Sequence, residues 1–122
     1  MRIKVGVCDD VADVRFMVRI AIAREPDMDL VGEAVNGREA VDLVQEQEID
    51  VLILDLYMPE MDGLEALPLI KKASPGTKVI VLSGMDATAM RPTALAAGAD
   101  LYLEKGVSIP EIVSSVRSSA TS

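Results

Sequence analysis

Five short apolar runs, Ile3–Cys8, Leu30–Val35, Val51–Leu54, Val79–Leu82 and Leu101–Leu103, limit the fold more than any other feature of this chain. Each has the length of a strand, and most are apolar at nearly every position, as strands buried on both faces are. Segments of helical period lie between them. Val14, Met17, Val18 and Ala21 recur at i, i+3, i+4 and i+7, as do Ile109, Ile112, Val113 and Val116; each set lines one face of a helix. Capping-box spacing marks three helix starts, at Asn36 with Glu39, Asp62 with Glu65, and Ser108 with Glu111. Stops are legible at Glu25-Pro26, Ser74-Pro75-Gly76 and Gly98. Strand and helix alternate five times without an internal repeat, which predicts an α/β fold with a parallel sheet covered on both faces.

The 122 residues make one ordinary domain, and with 50% of them apolar there is enough for a real core. A formal charge of −8 argues against binding nucleic acid or an anionic membrane surface directly. No apolar stretch nears the roughly 18 residues that span a bilayer, and no leader pattern opens the chain. Cys8 is the single cysteine and sits in an apolar run, so it reads as a small buried hydrophobe in a reducing, cytoplasmic setting. Without His or Trp, a Ser-His-Asp triad and His-ligated zinc are excluded. Two prolines interrupt helical pattern. Pro68 should kink the helix expected over Asp62–Ala73. Pro92 places the start of the fourth helix near Arg91, or else leaves its first half irregular. Residues 1–118 are expected to form the domain, and 119–122 a frayed tail or the start of a linker.

The polar residues fall at the strand ends. Asp9 and Asp10 close the first strand, Asp55 the third, Ser83 the fourth and Lys105 the fifth. A five-stranded repeat of this size usually has the order 2-1-3-4-5, a flavodoxin-like (βα)5 three-layer sandwich. Ligands then bind at the carboxyl ends of the strands, where the order reverses between strands one and three. Asp9, Asp10 and Asp55 converge there, and three carboxylates repel one another unless a cation sits among them. Hard oxygen ligands with open positions suit Mg²⁺, with Mn²⁺ as a substitute. Asp55 can then attack phosphorus, as carboxylates that form acyl phosphates do. Lys105 supplies a point charge and Ser83 a hydroxyl for the phosphoryl oxygens. Asp10 alone could be a helix cap, Ser83 a turn residue and Lys105 a solvated lysine; their joint placement at one sheet edge favours a site. Asp62 reads most simply as a cap.

The run Asp55-Leu-Tyr-Met-Pro-Glu-Met-Asp-Gly63 resembles the phosphoacceptor loop of bacterial two-component response regulator receiver domains. The pair Asp9-Asp10, the step Ser83-Gly84 and the segment Gly98–Lys105 match that family in order and spacing, and the likeness covers Ile3 to about Val116. It implies phosphorylation at Asp55, Mg²⁺ held by Asp10, Asp55 and the Tyr57 backbone carbonyl with Asp9 acting directly or through water, and phosphoryl oxygens held by Ser83 and Lys105. It also implies a switch in which Ser83 moves and Tyr102 turns inward into the space vacated, altering the surface of helix four, strand five and helix five. The implied donor is a histidine kinase or a histidine phosphotransfer protein. The implied receiver of the signal is an output domain or a separate protein, and a phosphorylation-dependent homodimer is allowed. Gly106 after Lys105, the segment Glu25–Ala34 and Ala96–Ala99 resemble the branch that precedes a helix-turn-helix output domain. The only chemistry expected is self-phosphorylation and self-dephosphorylation. A haloacid-dehalogenase-type phosphotransferase would want an aspartate where Tyr57 stands. A flavodoxin-type carrier would want a hydroxyl-rich loop where Asp9-Asp10-Val-Ala stands. A receiver-like module that is never phosphorylated would not need the complete acidic, Ser and Lys set.

Overall fold

A computed structural model of the chain describes residues 2–122. Strand β1 (Ile3–Cys8), helix α1 (Ala12–Ala23), β2 (Met28–Ala34), α2 (Gly37–Glu46), β3 (Val51–Leu54), α3 (Gly63–Ala73), β4 (Lys78–Ser83), α4 (Ala87–Ala97), β5 (Leu101–Glu104) and α5 (Ile109–Ala120) follow one another. All strand pairings are parallel, and the sheet has the order β2-β1-β3-β4-β5, as expected.

Period-two alternation divides each central strand between two cores. Val51 and Ile53 pack with Val18 and Ile22 of α1 and Ile112 and Val116 of α5. Leu52 and Leu54 pack with Val44 of α2, Leu67 and Ile70 of α3, and Ala94 of α4. A strand apolar at every position is what a sheet covered by helices on both sides requires.

The three helix caps read from the sequence are present. Asn36, Asp62 and Ser108 accept from the backbone N–H groups of Glu39, Glu65 and Glu111 at 2.9, 2.8 and 3.2 Å. Strand limits differ by one or two residues: β2 begins at Met28 and ends at Ala34, β4 spans Lys78–Ser83, and β5 reaches Glu104.

The fourth helix departs more. It begins at Ala87, not near Arg91, and its first half is regular. Asp86 accepts from Thr88 N–H at 2.7 Å, which fixes a start upstream of the proline. Pro92 lies on the exposed face, so the Thr88 carbonyl that loses its helical donor is left toward solvent. Pro68 is likewise exposed, and α3 runs through it unbroken. Helix α5 continues to Ala120 with Ser119 buried, two residues into the segment expected to be a tail.

Candidate functional site

The cleft forms because the apolar runs of β1 and β3, paired side by side, stop at the same level. Cys8 lies opposite Leu54 in the register, and the Asp55 N–H donates to the Cys8 carbonyl at 2.9 Å. Asp9 and Asp55 therefore emerge together at the reversal of strand order. Their side chains are almost buried, whereas Asp10 is exposed. A carboxylate oxygen from each of Asp9, Asp10 and Asp55 lies within 4.8 Å of the others. Asp10 does not cap α1: the cap position is Val11, with no side-chain capping bond. The Asp9 Oδ1 accepts from Val11 N–H at 2.9 Å, which ties the turn before the helix to the end of β1.

Lys105 enters from the end of β5, where its N–H donates to the Ser83 carbonyl at 2.7 Å. Its Nζ lies 3.1 Å from Asp9 Oδ2 and 3.4 Å from Asp55 Oδ2, so one ammonium bridges two carboxylates. Burial, and then the charge of Asp9, raises the Asp55 carboxyl above its ordinary value, and Lys105 pulls it part of the way back. Burial by itself would lower the Lys105 ammonium, but the hydrogen bond to Asp9 and the charges of Asp55 and Asp9 leave it raised. The cluster thus carries excess negative charge that one lysine only partly offsets. Three hard oxygen donors in such a cluster suit a divalent cation.

The loop from Leu56 to Asp62 is held close to Asp55. A Cβ on Gly63 would collide with the Asp55 carbonyl oxygen, so the residue entering α3 has to be glycine. Its N–H closes the loop on the Leu56 carbonyl at 2.8 Å. Tyr57, in that loop, is exposed.

Ser83 is fully buried at the end of β4, and its Oγ accepts from Met85 N–H at 3.2 Å. The Tyr102 ring is only 2% exposed and lies with the core on the α2–α3–α4 side, and its hydroxyl donates to the Met85 carbonyl at 2.9 Å. The inward ring and the Ser83–Met85 bond coexist in this structure. The Glu104 carboxylate adds a third tie to this segment, accepting from Ala87 N–H at 3.0 Å. Sequence reasoning missed that tie, the Arg15 guanidinium on the Asp9 carbonyl at 2.8 Å, and the Asn36–Glu60 hydrogen bond at 3.0 Å. None of them leaves a periodic or motif signal.

Cys8 is buried as expected, and burial pushes its thiol far up, which makes it a poor nucleophile. A surface groove of about 680 Å³ lies between α1 and α5 along Ala21, Arg24, Ile109 and Val113, apart from the carboxylates. The candidate site is thus a charged carboxylate cluster beside Lys105, whose chemistry suits a divalent cation and a small anion.

Residues 5–117 match the family model described as the response regulator receiver domain. The chain is 39% identical over 102 residues to the chemotaxis protein CheY of Thermotoga maritima, covering 84% of each. It is 37% identical over 117 residues to the response regulator protein VraR of Staphylococcus aureus, covering 96% of this chain and 56% of that one. Against VraR it thus spans little more than half of the relative. Among solved structures, the response regulator domain of Thermotoga maritima CheB superposes with a TM-score of 0.92 at 34% identity, covering 100% of this chain and 98% of that one.

Proposed function

This chain belongs to the response regulator receiver domain family, and on that premise we propose that Asp55 is the residue that accepts its phosphoryl group. The observation that carries the assignment is the Lys105 ammonium between Asp9 and Asp55, at 3.1 and 3.4 Å, with Asp10 in the same cluster. Asp55 is the nearly buried carboxylate on the loop that runs into α3, and burial raises its proton affinity. Mg²⁺ fits the donor set of Asp10, Asp55 and the Tyr57 carbonyl, with Asp9 direct or through water, and Mn²⁺ shares that chemistry. When bound, the metal supplies positive charge to the phosphoryl oxygens and to the crowded carboxylates.

An Asp55 oxygen attacks the phosphorus of the donor. As the new O–P bond forms, the donor's P–N bond breaks, and its electron pair stays on the departing imidazole, which takes a proton. Lys105 shifts its hydrogen bond from carboxylate to phosphoryl oxygen, and Ser83 Oγ turns from Met85 N–H to a second one. The donor is a histidine kinase or a histidine phosphotransfer protein. The response is read from α4, β5 and α5 by an output domain, by a separate protein or by a second copy of the chain. No described helix is long and apolar enough to cross a membrane, and a cytoplasmic setting fits the rest. The chain acts as a switch that turns over only its own phosphoryl group.

Acetyl phosphate with Mg²⁺ should add one phosphoryl mass, removed by hydroxylamine as an acyl phosphate is. Asp55→Asn should abolish the addition. Modification of that variant at the parental rate would overturn the assignment.

A further inference from the structure

Glu60 adopts a positive φ, 68°, which among the described residues is otherwise confined to Gly98 and Gly106. A side chain in the left-handed region persists where its surroundings hold it there. The holding group comes from a different element, 24 residues away. Asn36 Nδ2 donates to Glu60 Oε2 at 3.0 Å, while Asn36 Oδ1 accepts from Glu39 N–H at 2.9 Å. The Asn36 side chain, in a residue only 8% exposed, is therefore fixed at both ends.

The backbone on either side of this pair is also tied together. Gly37 N–H donates to the Met61 carbonyl at 2.7 Å. A Cβ on Gly37 would lie 2.5 Å from that oxygen, which explains glycine there. The Cys8 thiol lies 3.2 Å from the Asn36 carbonyl and 3.4 Å from Met58 Sδ, joining the end of β1 to the same loop. The acceptor loop is thus closed onto the first turn of α2 at Glu60 and Met61 and onto the end of β1 at Met58. Tyr57 stands directly beside Met58.

We propose that Asn36 and Glu60 are positioning residues: their hydrogen bond fixes the acceptor loop, and with it the Tyr57 carbonyl, so that it sets how tightly a divalent cation is held beside Asp55. The inference rests on the phosphoacceptor reading of that site. Neither residue touches the reacting atoms. The competing account, that Asn36 only caps α2, predicts no effect on metal affinity from a variant that keeps the cap.

Asn36→Asp is such a variant, because aspartate caps as well as asparagine. It has no donor for Glu60 and faces it with like charge. The added negative charge would by itself tighten cation binding, whereas a released loop weakens it, so the two effects have opposite signs. Changes outside the immediate ligands typically cost about 10- to 100-fold in metal affinity; for one backbone ligand we expect about three- to tenfold weaker Mg²⁺ binding, read by amide chemical-shift titration. Without metal, the Gly37 amide should exchange faster with solvent. The double variant Asn36→Asp, Glu60→Gln restores the parental net charge and reverses donor and acceptor, and it should return affinity to within about twofold of the parent.

Should Asn36→Asp fold poorly, Glu60 supplies the test, since glycine is at ease at φ 68°. Glu60→Gly and Glu60→Gln both remove the charge, but only the glutamine keeps an acceptor for Asn36. Glu60→Gly should bind Mg²⁺ more weakly than Glu60→Gln. Equal affinities for that pair, or Asn36→Asp binding as tightly as the parent, would overturn the proposal and leave the Asp55 assignment standing. Failure of the parent to bind Mg²⁺ at all would overturn both.

Discussion

Replacing Lys105 by methionine keeps most of the side-chain volume and removes the charge that bridges Asp9 and Asp55. The nearer carboxylate oxygen is 3.1 Å away. At that distance two unit charges attract by roughly 5 kcal/mol at an effective dielectric constant of about 20 and by roughly 1.3 kcal/mol in bulk water. Both acceptors are nearly buried, but the lysine retains 28% of its side-chain exposure, so solvent screens the pair substantially. Breaking a buried pair costs about 3–5 kcal/mol and an exposed one about 0–1 kcal/mol. A loss of about 2 kcal/mol in metal-free buffer follows, a drop of roughly 5–10 °C in the unfolding midpoint for a domain of this size. The loss comes from two carboxylates left without a cation, so saturating Mg²⁺ should narrow the gap between variant and parent. Lys105 also holds the Asp55 carboxyl down. Without it that carboxyl rises further, the folded state binds the proton more tightly, and the variant should lose stability as pH rises through that range. Circular dichroism melts at low ionic strength, in chelator and in Mg²⁺, measure both effects. A variant as stable as the parent in chelator, or a gap that Mg²⁺ leaves unchanged, would refute the charge-balance argument.

Asp10→Ala should act with the opposite sign, leaving the metal-free protein at least as stable because it relieves repulsion, while raising the Mg²⁺ dissociation constant by about tenfold or more; a metal-dependent melting shift equal to the parent's would remove Asp10 from the site. Tyr102→Phe deletes the 2.9 Å hydrogen bond to the Met85 carbonyl, at about 1 kcal/mol. Phosphorylation should continue at the parental rate, while the chemical-shift response to beryllofluoride across Ala87–Ala97 shrinks; identical responses would make Tyr102 a packing residue only. Arg117 donates to Asp27 at 2.9 Å and to Glu25 at 2.8 Å, and its hydrogen bond holds the Asp27 carboxyl below the ordinary 3.8. That support is complete above the unfolded value and is lost as pH falls through the lowered one, so the urea midpoints of Arg117→Gln and parent should converge as the pH falls through the lowered Asp27 value; a constant difference would contradict the linkage.

What was legible in the sequence was whatever local physics decides. The strand cores appear as apolar runs because both sheet faces are covered, and Asn36, Asp62 and Ser108 show themselves because capping requires a particular residue at a particular spacing. The gathering of Asp9, Asp10, Asp55 and Lys105 was legible for a related reason: in a parallel sheet each βα unit ends at the same edge, so a polar residue ending an apolar run has one place to go. Pro92 misled because the local rule against a proline inside a helix was weighed alone. The Asp86 cap and the burial of Ala94 favour the longer helix, while the missing bond falls on the solvent side. The Asn36–Glu60 bond was invisible because it joins two loops whose meeting depends on the packing of α2 against α3. Only the structure shows that one asparagine serves two elements.

If Asp55 is phosphorylated as proposed, the contacts of Met85 offer a path from it to α4. Its N–H is held by Ser83 Oγ and its carbonyl by the Tyr102 hydroxyl, and two residues later Ala87 N–H is held by Glu104. The segment that starts α4 is therefore suspended from the ends of β4 and β5. Each tie is a single hydrogen bond, with a net worth of about 1 kcal/mol. If Ser83 Oγ leaves Met85 for a phosphoryl oxygen, the Met85 N–H loses its partner while the Met85 carbonyl stays anchored, and the residue can pivot about the Tyr102 hydroxyl. A loss of that size shifts a two-state equilibrium by about fivefold, enough to bias α4 without unfolding it. Ties this weak suit a reversible signal, because a stronger anchor would hold α4 in one position whatever the state of Asp55.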